Sequence, residues 1–373
     1  MTQMKNQWFV SSVAVVAKGD ENMTAVSEPV VLRPGASDAG ELRELTRLEK
    51  AIGPEWARLL RGIVTNPLSV TGIVLIVLFA LTAIFAPMLA PPPNEMWNPM
   101  QIPRDGFRAE PQPPMSEWNK NAPMTVPWWY RNIWPRQEAW VHLMGTTSGQ
   151  YDIWYGVIWG ARTAFFASFV VTFATTLIGV IIGSLAGFYG GWVDEALMRV
   201  VEIFYAFPFI TGALILASLL TPLFGRSVWP ATIALIIFGW TGYARQLRGD
   251  ILTTKERDYV LAARASGAKD SHLMLQHVIP NAMFPTLVRI SLNMGAVVLS
   301  FAALSFLGIG LPEGYADWGQ VVSFARSWIL TLDQYWYIII FPGIALLLYG
   351  LGWNLIGDAL RDILDPKLRG KKA

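Results

Sequence analysis

KERDYVLAARASGAKDSHLMLQHVIPNA, residues 255–282, is a long charged, helix-forming stretch lying between two runs apolar enough to cross a membrane. Residues 258–266 are rich in helix formers, and Gly267 falls where that helix would end, because glycine takes the left-handed cap conformation at no steric cost. Asp270 is placed to cap a second helix that runs to His277 and is stopped by Pro280. A helix, a glycine turn and a helix of this polarity belong in water, so the runs on either side of it have to carry the membrane.

Composition agrees. Of 373 residues 53% are hydrophobic and 15% charged, whereas a soluble domain carries about 25% charged residues. Apolar runs of spanning length, about 20 residues at 1.5 Å rise each, occur at 68–89, 163–189, 203–223, 228–244, 290–311 and 335–357. None contains Asp, Lys or Arg, each of which costs about 2.5–3.5 kcal/mol at a helix centre. Barrel strands would alternate polar and apolar residues, so the expectation is an all-α membrane protein with six transmembrane helices. Net charge is only +2, which gives no reason to expect nucleic acid, and with no cysteine the chain can hold neither disulfides nor thiolate sites.

Lys and Arg concentrate before residue 68, between Arg245 and Arg289, and after residue 357, while the opposite side holds Arg104, Arg108, Lys120, Arg131, Arg136, Arg226 and Arg326. The positive-inside rule then puts both termini and the 255–282 stretch in the cytoplasm. Five parts follow: a cytoplasmic tail (1–66), the first span (67–90), an extracytoplasmic loop (91–160), a five-helix core (161–360) with its cytoplasmic loop at 245–285, and a C-terminal tail (361–373). In the first tail Asp38 and Glu41 fit a capping box, and Leu42, Leu45, Leu48 and Ile52 recur at helical spacing before Trp56 and Leu59, as in an amphipathic helix lying on the inner membrane surface. Trp8–Ala17 upstream is too short to span, and the long polar stretch after it fits a cleaved signal poorly.

The extracytoplasmic loop collects Pro91, Pro92, Pro93, Pro111, Pro113 and Pro114 with Trp97, Trp118, Trp128, Trp129, Trp134 and Trp140. The prolines disfavour helix, and the tryptophans call for packing or interfacial seating. Within the membrane, Gly179, Gly183 and Gly187 repeat every four residues, a helix-packing face that admits another helix closely. Pro208 and Pro342 are expected to kink the third and sixth spans.

Chemistry is sparse. There is no G-x-x-x-x-G-K-[ST] phosphate loop, and His142, His272 and His277 form no zinc pattern. No acidic residue, lysine or histidine lies deep in a span to build an ion relay. An intramembrane hydrolase or acyltransferase would need clustered polar groups where the spans offer scattered Ser, Thr and Asn293. A structural scaffold would not require the charged loop. A transport pathway whose energy is supplied by other subunits fits all of these.

Ala262, Ala263, Gly267 and the Ile279–Pro280 pair are spaced as in the "EAA" loop of ABC-type importer membrane subunits. GGWVDEALMRVVEIFYAFPF (190–209), GYARQLRGDIL (242–252), LSFLGIGLP (304–312), GDALRDILDPKLRG (357–370) and NPLSVTGIVLIVL (66–78) widen the match. Over roughly residues 56–370 the chain resembles the second permease of the dipeptide/oligopeptide family. That resemblance implies a type I ABC importer permease fold, a homologous partner permease completing a heterodimer, two ABC ATPase subunits that carry ATP and magnesium, and an extracytoplasmic substrate-binding protein. This chain would hold no cofactor or metal and catalyse nothing. The loop residues Asp258, Tyr259, Leu261, Ala262, Ala263, Gly267, Ala268, Ile279 and Pro280 would dock on an ATPase as a coupling helix. The family carries peptides, with oligosaccharides and nickel chelates as alternatives. Two departures stand out: Leu261 replaces the glutamate of the loop's name, leaving Glu256 or Asp258 to remake its contact, and GTTSGQYD (145–152) keeps only Gly145, Thr146 and Asp152 of a G-T-D-x-x-G-R-D segment.

Overall fold

The computed structural model describes residues 64–123, 129 and 140–364. The amphipathic helix expected in the first tail, Trp128, Trp134 and the C-terminal tail beyond 364 lie outside the described residues. The chain enters α1 (Pro67–Ile84) through Asn66, whose side chain accepts from the Leu68 N–H at 3.0 Å, with Pro67 in the first turn where its missing donor costs nothing. The α-helices of six or more residues that follow are α2 (Ile153–Tyr189), α3 (Gly191–Tyr205), α4 (Phe209–Phe224), α5 (Trp229–Gly239), α6 (Thr241–Thr254), α7 (Asp258–Ala265), α8 (Phe284–Phe306), α9 (Trp318–Ser323) and α10 (Tyr337–Leu364).

Four of these, α1, α2, α8 and α10, are long and apolar enough to cross a membrane, and α3 with α4 forms a fifth candidate bent by 83°. Proline explains the bend. Pro208 caps α4 in an extended conformation (φ −59°, ψ 123°), so the third expected span is broken into two helices and not merely kinked. Pro342, by contrast, lies inside an uninterrupted α10. The expected span at 228–244 falls on α5 and α6, of 11 and 14 residues, which meet at Trp240; neither reaches spanning length by itself. Gly239 ends the first, and the second carries Arg245, Arg248 and Asp250 well past the end of the apolar run.

The second span starts ten residues before position 163 and takes in Arg162. The guanidinium of that residue lies 4.4 Å from the Trp159 ring centroid and its Nε donates to the Ala83 carbonyl at 2.7 Å. At 37 residues α2 is about 55 Å long, nearly twice the ~30 Å hydrocarbon core. Its first turns therefore belong to the segment that joins α1 to α2.

That segment, 90–152, is ordered in the described residues with almost no regular structure. Ser116–Glu117 and Val141–His142 pair antiparallel, and bridges tie Gln101 to Tyr315, Arg104 to Tyr151 and Thr146 to Asp152. Indole donors hold the segment in place: Trp154 Nε1 and Trp159 Nε1, both from the first turns of α2, reach the Leu89 carbonyl at 3.0 Å and the Ala90 carbonyl at 2.8 Å, and Trp97 Nε1 within the segment reaches the Gln101 carbonyl at 2.7 Å. The Leu89 and Ala90 carbonyls end the short helix Ala86–Leu89, and burying any of the three unpaired would cost about 1–3 kcal/mol. Ile102, Tyr155, Trp159, Val321 and Tyr337 form the core beneath. Outward-facing side chains such as Phe173, Leu219, Leu223 and Leu347 are exposed on the spanning helices, as an apolar solvent or a partner requires.

Candidate functional site

The 255–282 loop is built on α7 and its cap. Gly267 has φ +85°, its N–H donates to the Arg264 carbonyl at 3.0 Å, and the Ala268 N–H donates to the Ala263 carbonyl at 3.1 Å. Two crossed bonds of this kind over a left-handed glycine make a Schellman cap, which satisfies the last carbonyls of α7 and turns the chain sharply. The second helix begins at Asp270, but Lys269 occupies the cap position with φ −68° and ψ 147°, so Asp270 is the first helical residue and caps nothing.

Pro280 does not stop this helix. Leu273–Val278 is a π-helix, in which the Ile279 N–H reaches back five residues to the Met274 carbonyl. The wider register brings Pro280 into the first turn of the next short helix, Ile279–Ala282, where a missing donor is tolerated. The Asn281 amide then donates to the His277 carbonyl at 2.6 Å. Termination falls instead at Met283, immediately before α8.

One face of the loop is fixed. Val260, Leu273 and Val278 are buried against Leu247 and Ile251 of α6 and Phe188 of α2, with Ala263, Ala268 and Ile279 packed on their edge. Asp258, Tyr259, Leu261, Ala262, Gly267 and Pro280 lie on the exposed side. Of the nine loop residues named from the sequence, six face outward and Ala263, Ala268 and Ile279 pack on the buried cluster; the anchors Val260, Leu273 and Val278 were missed, although an amphipathic reading of both helices would select them.

The anchors transmit into α2 and α6, which are in unusually close contact. A Cβ at Gly183 would lie 2.6 Å from the Ala244 carbonyl oxygen, one at Gly187 2.9 Å from that of Arg248, and one at Gly179 3.0 Å from that of Trp240. Lys255 Nζ donates to the Gly187 carbonyl at 3.0 Å, placing a cation at the negative end of α2. Across the same end, Arg248 grips Asp194 of α3 through two bonds of 2.5 Å.

At the other end of α2 lies a cluster that spacing alone did not reveal. His142 is fully buried, with Nδ1 2.6 Å from Asp152 Oδ2 and Nε2 3.3 Å from Asp105 Oδ2, and it stacks on Trp118 at 4.0 Å. Both ring nitrogens face carboxylates, which an imidazolium can satisfy and a neutral ring cannot. Burial alone would lower the His142 pKa, but the two carboxylates outweigh it and hold it above the ordinary value. Burial would likewise raise Asp105; the bonds from His142 and from the Asn119 and Lys120 N–H groups hold its carboxyl below the usual range. Asp152 also caps α2, accepting from the Tyr155 N–H at 2.6 Å. The 145–152 segment thus folds as the turn that sets this cap, with Gly145 at φ +78° and Gln150 at φ +66°. Among the described residues no group of His, Asp and Glu is arranged to hold a metal ion.

The family model for binding-protein-dependent transport system inner membrane components matches residues 179–370, and that for the N-terminal TM domain of oligopeptide transport permease C matches 55–114. The dipeptide transport system permease protein DppC of Escherichia coli (strain K12) is 36% identical over 304 residues, 82% of this chain and 90% of that protein. The oligopeptide transport system permease protein OppC of Bacillus subtilis (strain 168) is 32% identical over 344 residues, 91% of this chain and 97% of that one. Among solved structures, the inward-facing MetNI methionine ABC transporter covers 57% of this chain and 97% of its own at 18% identity, with a TM-score of 0.46.

Proposed function

Since this chain belongs to the family of binding-protein-dependent transport system inner membrane components, we propose that it is the permease subunit of an ATP-driven peptide importer, coupled to its ATPases through residues 255–282. It is a membrane subunit without catalysis of its own; ATP and magnesium bind the ATPases. The relatives named for dipeptide and oligopeptide transport support peptides as cargo over oligosaccharides or nickel chelates.

The observation that carries the coupling role is the two-sided build of the loop. Its inner face is packed into α2 and α6, and its outer face leaves Tyr259, Leu261 and Ala262 exposed on a capped, rigid turn. A force applied to that outer face moves the helices and does not merely deform a loop. In this reading the loop and both termini are cytoplasmic, residues 90–152 face the binding protein, and α1, α2, the α3–α4 pair, α5 with α6, α8 and α10 make six crossings. A homologous partner permease forms the other half of the pathway, and ATP binding by the paired ATPases biases the two between inward-facing and outward-facing states.

The test is reconstitution with the partner permease, both ATPases and the binding protein. Wild type should import peptide in an ATP-dependent way, and Leu261→Arg, which puts a cation on the exposed apolar contact, should release the ATPases while the two permeases stay paired. Full import by Leu261→Arg together with Tyr259→Asp would place the coupling surface elsewhere.

A further inference from the structure

Both breaks in the helical frame open onto one cavity. Tyr205, Phe207 and Phe209 at the α3–α4 bend, and Gly239, Thr241 and Gly242 at the α5–α6 junction, line a space of about 310 Å³ that α8 closes with Arg289 and Asn293. This is at the lower end of the volumes that hold small molecules. Its two sides differ in chemistry. One is aromatic: Phe238 lies 5.9 Å from Phe204 and 6.3 Å from Phe207, both nearly edge-on. The other holds a cation in a helix of spanning length.

Arg289 is held in place by groups that leave its charge uncompensated. Its Nη1 donates to Gln246 Oε1 at 3.0 Å, its guanidinium lies 5.0 Å from the Tyr243 ring, and it rests on the bare Cα of Gly242. Among the described residues it makes no ion pair. A guanidinium carries five donors in a planar fork that matches a carboxylate. One of those donors is engaged by Gln246, which leaves the others to meet an anion where the second turn of α8 borders the cavity.

We propose that this cavity is a transient binding site for the C-terminal residue of the transported peptide, its carboxylate accepting from Arg289, its backbone meeting Asn293 and its side chain entering the aromatic wall. The assignment rests on reading the chain as a peptide importer permease, and it adds a selectivity step inside the membrane subunit. The wall is apolar and sequence-tolerant, so the shared feature of the ligands is the terminal carboxylate. Because α3, α4, α5 and α6 all end at the cavity, any rearrangement at these breaks changes its size.

The experiment measures binding to the complete transporter complex in phosphatidylcholine nanodiscs, with the binding protein omitted. The probes are alanyl-phenylalanine, trialanine and pentaalanine, each as free acid and as C-terminal amide. Wild type should favour the acids by about tenfold, in line with a charge-assisted bidentate contact. In Arg289→Gln that ratio should collapse to about one with amide affinity kept, and in Arg289→Lys, which keeps charge without the fork, it should fall to an intermediate value. No acid preference in wild type, an unchanged ratio in either variant, or equal loss of acid and amide in Arg289→Gln overturns the proposal. The Lys variant decides the matter if the Gln variant does not assemble.

A lipid phosphate offers the same anionic chemistry. Adding phosphatidylglycerol to the nanodiscs should leave peptide affinity unchanged; competition that vanishes in Arg289→Lys would assign the site to a headgroup and overturn the peptide reading. Import of the same peptides by the wild-type complex with its binding protein runs in parallel. No import defeats the peptide-importer reading, whereas import alongside an Arg289-independent acid preference defeats the cavity assignment alone.

Discussion

The Ala268 N–H donates to the Ala263 carbonyl at 3.1 Å across Gly267, so six residues of chain close into a cap whose geometry depends on one left-handed residue. Nothing lies within 4 Å of a Cβ built on Gly267. Any penalty for a side chain there is conformational and not steric, about 1–2 kcal/mol for an L-residue in this region. Gly267→Val should therefore leave assembly intact while lowering peptide-stimulated ATPase activity and transport. Gly267→Asn, which tolerates the conformation, should keep most of both. Wild-type coupling in the Val variant would show that the cap does not set the orientation of α7.

Two glycines of the same chain should respond oppositely to a methyl group. Gly183 faces the Ala244 carbonyl, and overpacking such a contact costs about 1–3 kcal/mol, so Gly183→Ala should lower the melting temperature of the purified complex. Gly249 lies mid-helix in α6 with open space where a Cβ would sit, and Gly249→Ala should raise the melting temperature, since helix propensity favours alanine by about 1 kcal/mol. Equal shifts in the two variants would mean that the α2–α6 approach is not as tight as the backbone places it.

The Asp105–His142–Asp152 cluster makes the 90–152 segment pH-dependent, and the sign follows from the two directions. The His142 pKa is raised, so its contribution is complete below about 6.5 and is lost as pH rises through the elevated folded value. The Asp105 pKa is lowered, so its contribution is complete above about 3.9 and is lost as pH falls through the depressed value. Hydrogen-exchange protection at Asn119 and Val141, relative to the intrinsic rate at each pH, should be greatest between these limits and should fall above the His142 transition. His142→Gln should remove the alkaline transition and destabilise the segment by about 3–5 kcal/mol, since it leaves two buried carboxylates facing one another. Protection factors that stay constant from mildly acidic to alkaline pH in wild type would contradict an imidazolium at this position.

The absence of cysteine permits a direct check of orientation. Ser116 is a poor reporter because its hydroxyl is buried, but Glu117 beside it is exposed, as is Lys269 in the 255–282 loop. In intact cells Glu117→Cys should react with a membrane-impermeant maleimide, and Lys269→Cys should react only after lysis. The reverse pattern would put the loop on the wrong side for any cytoplasmic ATPase.

How far the sequence revealed this molecule depended on the range of each interaction. The Gly267 turn is local: one residue type with one conformational freedom, and it was readable. So was the α1 start at Asn66–Pro67 and the disruption at Pro208, although a kink and an 83° break look alike in sequence. The second span reads as starting at 163, too late, because a run without charge stops at Arg162, whose charge is met by the Trp159 ring and the Ala83 carbonyl. Pro280 misled because the π-helix before it shifts the register that would have made it a stop. His142 was passed over since its partners come from 37 residues before and ten after it, and Arg289 because its cradle lies on another helix.

The length of α2 has a mechanical side. Its first turn is capped by Asp152 beside the buried histidine, and its last carbonyls receive Lys255 at the root of the 255–282 loop, so a single hydrogen-bonded rod joins the two ends of the molecule. A rod of 37 residues pivoting by about 10° near one end sweeps its far tip through about 10 Å at 1.5 Å rise per residue. News of an event at either face thus arrives at the other as displacement of a stiff lever, geared up by its own span, with no relay of side chains between.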